Sequence, residues 1–288
     1  MLGEAWTILC RSIRAFFDDN AISFGAAIAF YMATAFAPVV YIMAAIAGIV
    51  FGDKAASGAI IWHVREMIGP GGAKLVRAAL QNTLNGGAGL WPNVIGFVLV
   101  IITASGLFGE TQLALNTMWK VQAPPFSVWG TVRARLLSLA LVVALGFMLL
   151  ISLASSAFIT TLGSEIGAVL PFSSTIAWTL NFAISFVLIA ALFAAIYRTL
   201  PDVELTWRDV IAGALVTAAL FEIGEFLISF YLANSRVGHR YGAASGLFVT
   251  LMWIYYTTQV FLLGAEFTKV YSARHGTQAP REQELVPA

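Results

Sequence analysis

Apolar positions along this chain gather into six long blocks, each closed off by polar or glycine- and proline-rich residues. The blocks are approximately Ala21–Phe51, Trp91–Phe108, Leu136–Thr161, Ser174–Tyr197, Val210–Leu232 and Ala244–Tyr271. Runs of this length without regular polar interruption predict transmembrane helices. The expected fold is therefore an all-α membrane protein with six spans in one domain, residues 1–275, followed by a polar, disordered tail over 276–288. The first block holds 31 residues, about 46 Å of helix against a hydrocarbon core near 30 Å. It must tilt, project or break, and Pro38 is the expected place for a kink.

Between the first two blocks, residues 53–90 keep a helical rhythm but lose the continuous apolar character. Ile60, Ile61, Val64, Met67 and Ile68 repeat on one helical face, as do Val76, Leu80 and Leu84. Gly69-Pro70-Gly71-Gly72 reads as a turn between two short amphipathic helices. These would lie on the outer membrane face or cap the helix ends. After the second block, helical spacing continues over Gly109–Val121, as a cytoplasmic extension of that helix or an interfacial elbow, and ends at Pro124-Pro125.

Composition agrees with the pattern. Of 288 residues, 59% are hydrophobic and 11% charged, about half the charge of a soluble domain. The net charge of +1 gives no basic footprint for nucleic acid. The single cysteine, Cys10, excludes an internal disulfide, and an inert thiol is expected there. With the N-terminus inside, ten Lys and Arg residues fall in inner segments and six in outer ones. That bias predicts cytoplasmic termini. A cleaved signal at Ala21–Ala35 is disfavoured, because Asp18 and Asp19 abut the apolar run and hydrophobicity continues beyond it.

Polar groups inside the blocks are the candidate chemistry. Glu222 and Glu225 lie three residues apart in the fifth block, on one face with Ala214, Ala218 and Ser229. An acid in a span costs at least ~2.5 kcal/mol to insert, so it usually faces a bundle interior or a wet cavity. Two acids this close do not both ionise easily, which makes the pair proton-responsive. The competing reading gives both acids a packing role through interhelical hydrogen bonds. By depth, Gln259 of the sixth block is expected at the level of Glu222. Glu266 has Lys269 at i+3, which predicts an interfacial ion pair, and Asn181 of the fourth block predicts an interhelical hydrogen bond. Arg236, His239 and Arg240 cluster in the outward loop after the fifth block, as contacts for an anionic headgroup or as a solvated turn.

No phosphate-binding loop, zinc-protease motif or histidine cluster is present, so no cofactor or metal is implied and an enzyme is not expected. Several stretches together resemble the YihY/virulence factor BrkB family of bacterial inner-membrane proteins. They are Ser23–Tyr31, Ala37-Pro38, Ala47–Gly52, Leu115–Val121, Leu200–Val203, Trp207–Asp209, Gly213-Ala214, Phe221–Gly224, Tyr231, Asn234-Ser235, Tyr241–Ala244 and Gly264–Lys269. The resemblance implies six spans, cytoplasmic termini and an inner-membrane location. Members have carried the label ribonuclease BN, to which this sequence lends no support. In the family pattern the residue after Glu-x-Gly in the fifth span is often basic; here it is Glu225. The expected function is translocation of a lipid, another amphiphile or a proton-coupled small solute, with membrane lipids as partners. The alternative is a non-transporting envelope scaffold that docks partner proteins.

Overall fold

The computed structural model describes residues 2–84, 90–121, 151, 173–234 and 243–275. Within them lie seven helices and no strand: α1 (Leu2–Asp18), α2 (Ala21–Phe51), α3 (Asp53–Leu84), α4 (Leu90–Met118), α5 (Ser173–Thr199), α6 (Trp207–Asn234) and α7 (Ala243–His275). Among the described residues three stretches are long and apolar enough to cross a membrane, Phe182–Thr199, Trp207–Ile228 and Leu247–His275, and a shorter apolar run covers Ala21–Phe36. The expected third span, the 235–242 loop and the tail lie outside the described residues.

Helix limits follow local chemistry. Thr206 caps α6: its N–H donates to Asp209 Oδ2 at 3.0 Å and its hydroxyl to the same oxygen at 2.7 Å. The Asp209 side chain thus satisfies a backbone donor at the helix start. At the end of α4 the Val121 N–H donates to the Asn116 carbonyl at 2.9 Å, and Lys120 takes the left-handed conformation with φ 55°. A helix C-terminus commonly closes this way, although glycine is the usual occupant. Asn20 takes the same conformation between α1 and α2.

One expectation changes, and one open choice closes in favour of a continuous helix. Residues 53–84 form one helix of 32 residues, not two short helices around a turn. Pro70 removes only one backbone donor. Both halves also contribute to one buried cluster, Ile60 with Val76 and Leu80, against which Phe36, Ile61 and Val64 pack. Tertiary burial outweighs the local turn preference of the glycines. The expected second span and its extension are likewise one helix, α4, so no elbow separates them. α2 runs uninterrupted through Pro38.

α2 packs against α3, α4 and α7, α6 against α5 and α7, and α1 along α7. The main core sits where the α1–α2 corner, the end of α4, the end of α5, the start of α6 and the second half of α7 converge. Phe16, Ala21, Leu115, Tyr197, Val210 and Leu262 represent those elements in it. Beyond this core, α6 presents Ile223, Phe226, Leu227 and Phe230 outward. Their i, i+3, i+4, i+7 spacing makes one apolar face suited to lipid.

Candidate functional site

The antiparallel seam between α6 and α7 changes character along its length. In the first half of α6, glycine and threonine interlock reciprocally. A Cβ on Gly213 would collide with Thr268, and one on Gly264 would collide with Thr217 and the Tyr197 hydroxyl. Each threonine hydroxyl donates one turn back along its own helix, Thr217 to Gly213 O at 2.7 Å and Thr268 to Gly264 O at 2.8 Å. Tyr197 of α5 joins them, donating to Phe261 O at 2.6 Å with its oxygen 2.9 Å from Thr217 Oγ1. Small residues let the backbones approach, and the hydroxyls leave no polar atom wanting there.

Next to this seam lies a charged junction. Lys269 Nζ donates to Glu266 Oε2 and to Asp19 Oδ2, both at 2.8 Å, and Lys120 Nζ pairs with Asp19 Oδ1. Asp19 therefore ties the α1–α2 corner to the ends of α4 and α7. Burial alone would push its carboxyl up, but the hydrogen bonds from Lys120 and Lys269 and the nearby charge hold it below the ordinary value. Glu266 is fully buried. The expected Glu266–Lys269 pair is present, within a larger network. A cleft of about 510 Å³ opens beside the junction, lined by Asp18, Asp19, Asn20 and Ser23 from the corner, Glu110 of α4 and Lys120 just beyond its end. Across the end of α4, Asn116 Nδ2 donates to Asp202 Oδ2 at 2.7 Å and Asn116 Oδ1 accepts from the Asp202 N–H at 2.9 Å. Gln112 Nε2 adds a second bond to the same carboxylate oxygen at 3.1 Å.

Further along the seam the packing loosens in polar terms. Gly224 admits the Tyr256 ring, whose hydroxyl donates to Leu220 O at 2.7 Å. Glu222 is half-buried beside this contact in sequence, four residues after fully buried Ala218. Its Oε1 is buried and has no hydrogen-bond partner among the described residues. Glu225 is half-buried one turn on.

Gln259 turns towards α2. Its amide lies against Gly25, where a Cβ would overlap it, and Nε2 donates to Ile22 O at 3.3 Å. With Thr258, which donates to Gly25 O at 3.0 Å, it belongs to the α2–α7 contact and not to the Glu222 site. Depth along a helix does not fix rotation about its axis, and Tyr256 is the residue turned towards α6. Arg236, His239 and Arg240 lie outside the described residues, as does the side chain of Asn181 on α5. Among the described residues no three His, Cys, Asp or Glu side chains stand close enough to hold a metal ion.

Residues 12–286 match the family described as Virulence factor BrkB, nearly the whole chain. The chain belongs to the virulence factor BrkB family. A UPF0761 membrane protein of Methylibium petroleiphilum is 29% identical over 206 residues, covering 71% of this chain and 47% of the relative. Those of Alcanivorax borkumensis and Xanthomonas campestris pv. campestris are 26% and 28% identical, covering 95% and 93% of this chain and 63% and 61% of theirs. The chain thus spans about half to three-fifths of these relatives' length. No solved structure matches it. Membership in a family of membrane proteins and the apolar helices together make this a membrane protein.

The stretches that carry the BrkB resemblance meet in space. Asn116 and Asp202 clamp α4 to the α5–α6 connection, Gly213 and Gly264 interlock, and Glu266 and Lys269 enter the junction. Asp19 carried no sequence signal beyond its charge beside an apolar run, and Lys120 none beyond its place in the Leu115–Val121 stretch. Partners 101 and 250 residues away are invisible to local pattern.

Proposed function

We propose that this BrkB-family chain is a six-span inner-membrane protein with cytoplasmic termini. Its task is to move an amphiphile or a proton-coupled small solute across the bilayer, with Glu222 as the responsive group and Glu225 beside it. One observation carries this reading: Glu222 Oε1 is buried without a partner on a helix that is otherwise apolar enough to cross a membrane. An acid kept there at the cost of insertion, with an acceptor left over, suits a transient partner such as a proton or a cationic group. The interlocked first half of the α6–α7 seam is a fixed frame against which the Glu222 end can respond.

The test reconstitutes the chain in liposomes and follows scrambling of a fluorescent phospholipid and solute flux across a pH gradient. Glu222→Gln and Glu225→Gln keep shape and hydrogen bonding but cannot titrate. Loss of flux or of its pH dependence in folded Glu222→Gln, with a smaller effect of Glu225→Gln, supports the reading. Unchanged flux in both variants, or none in wild type while partner proteins are retained in mild detergent, leaves the envelope scaffold as the better account.

A further inference from the structure

α1 was not expected as an element, and its surface divides three ways. Ile8, Ser12 and Phe16 are buried on the side where α1 lies along α7. Trp6, Ile13 and Phe17 are 67%, 40% and 60% exposed, and Cys10, also exposed, stands in the same row. Spacings of four, three and four residues put these side chains on one continuous stripe. Glu4, Arg11, Arg14 and Asp18 are exposed along a third side.

The position of the stripe identifies its occupant. α1 ends at the Asp19–Asn20 corner, and the apolar run of α2 begins directly at Ala21. Asp19, Lys120 and Lys269 assemble at that corner, so it marks the level where the membrane meets water. α2 continues the apolar surface beyond the corner with exposed Ile22 and Phe30. A stripe carrying Trp and Phe beside a charged face, at that depth and continuous with a lipid-facing helix, has the make-up of an interfacial helix. The charged face balances two cations against two anions, so attraction to anionic lipid contributes little.

We propose that α1 seats the Trp6–Cys10–Ile13–Phe17 stripe in the lipid interface of the leaflet, through apolar contact and without need of anionic headgroups. The chain's only cysteine provides the probe. A nitroxide on Cys10 of the full chain in phosphatidylcholine vesicles is expected to be open to dissolved oxygen and shielded from a water-soluble nickel chelate, with the same values when phosphatidylglycerol is added. The double variant Trp6→Gln, Phe17→Gln should raise nickel accessibility several-fold; both side chains are more than half exposed, so folding does not depend on them. Free access of nickel in the unmodified chain overturns the proposal by placing the stripe in water. Exclusion of both reagents overturns it by placing the stripe against protein. Shielding that appears only with phosphatidylglycerol overturns the apolar basis of the contact.

Discussion

The two halves of the α6–α7 seam use the same kinds of residue to opposite effect. In the first half a glycine on each helix receives a threonine from the other, and every hydroxyl there has an acceptor. In the second half a glycine receives a tyrosine ring, and half-buried Glu222 keeps an oxygen without a donor among the described residues. Close approach alone therefore does not make a seam rigid. What differs is whether the groups that allow the approach also satisfy each other. A satisfied seam has one arrangement, whereas a spare buried acceptor leaves a second arrangement within reach.

The largest effect is expected at the charged junction beside the interlock, where Glu266 Oε2 is paired and its Oε1 is buried without a partner among the described residues. Lys269→Met strands the buried carboxylate of Glu266 and leaves Asp19 with Lys120 alone, and should cost about 3–5 kcal/mol, read as a fall in thermal midpoint in detergent. Because Asp19 is held below its ordinary value of 3.8, its stabilising contribution is present at neutral pH. It should disappear as pH falls through about 4 towards the lower folded value. A wild-type midpoint flat across that acid window would count against the junction.

Gly264→Ala comes next, at about 1–3 kcal/mol, because the added methyl meets Thr217 and Tyr197. Pairing it with Thr217→Ala should recover part of the loss, and strict additivity in the double-mutant cycle would refute the interlock. At the loose end, Tyr256→Phe should cost only ~1 kcal/mol, the worth of its bond to Leu220 O. The smallest effect on stability belongs to Glu222→Gln, within about 1 kcal/mol of wild type, since Oε1 has no hydrogen-bond partner among the described residues to lose. A larger destabilisation would make Glu222 a packing residue and erase the difference between the halves.

The apolar blocks read from sequence coincide with helices wherever residues are described. α2 has the expected limits, 21–51, and α5, α6 and α7 extend theirs by a few residues at each end. Periodicity and length suffice for that because each helix satisfies its own backbone in lipid. α1 escaped because its three-sided surface, with Arg11, Arg14 and Asp18 among apolar residues, gives no single apolar run. α3 was divided because Gly69–Gly72 carries a local turn preference that packing overrides. At the candidate site, the Glu266–Lys269 pair was legible from its i, i+3 spacing. The direction of Gln259 was not, since it depends on which neighbour α7 turns each face towards. Asp19 was visible only as an acid beside a span, and its partners lie in distant sequence.

The Lys269–Asp19 bond joins groups 250 residues apart, which also orders events in time. During synthesis at about 5–20 residues per second, the α1–α2 corner waits roughly 12–50 s for its partner on α7 to be made. For most of that interval Lys120, only 101 residues on, is the junction's one cation available to Asp19. A chain interrupted before α7 holds half of the junction, and the second cation arrives only with α7.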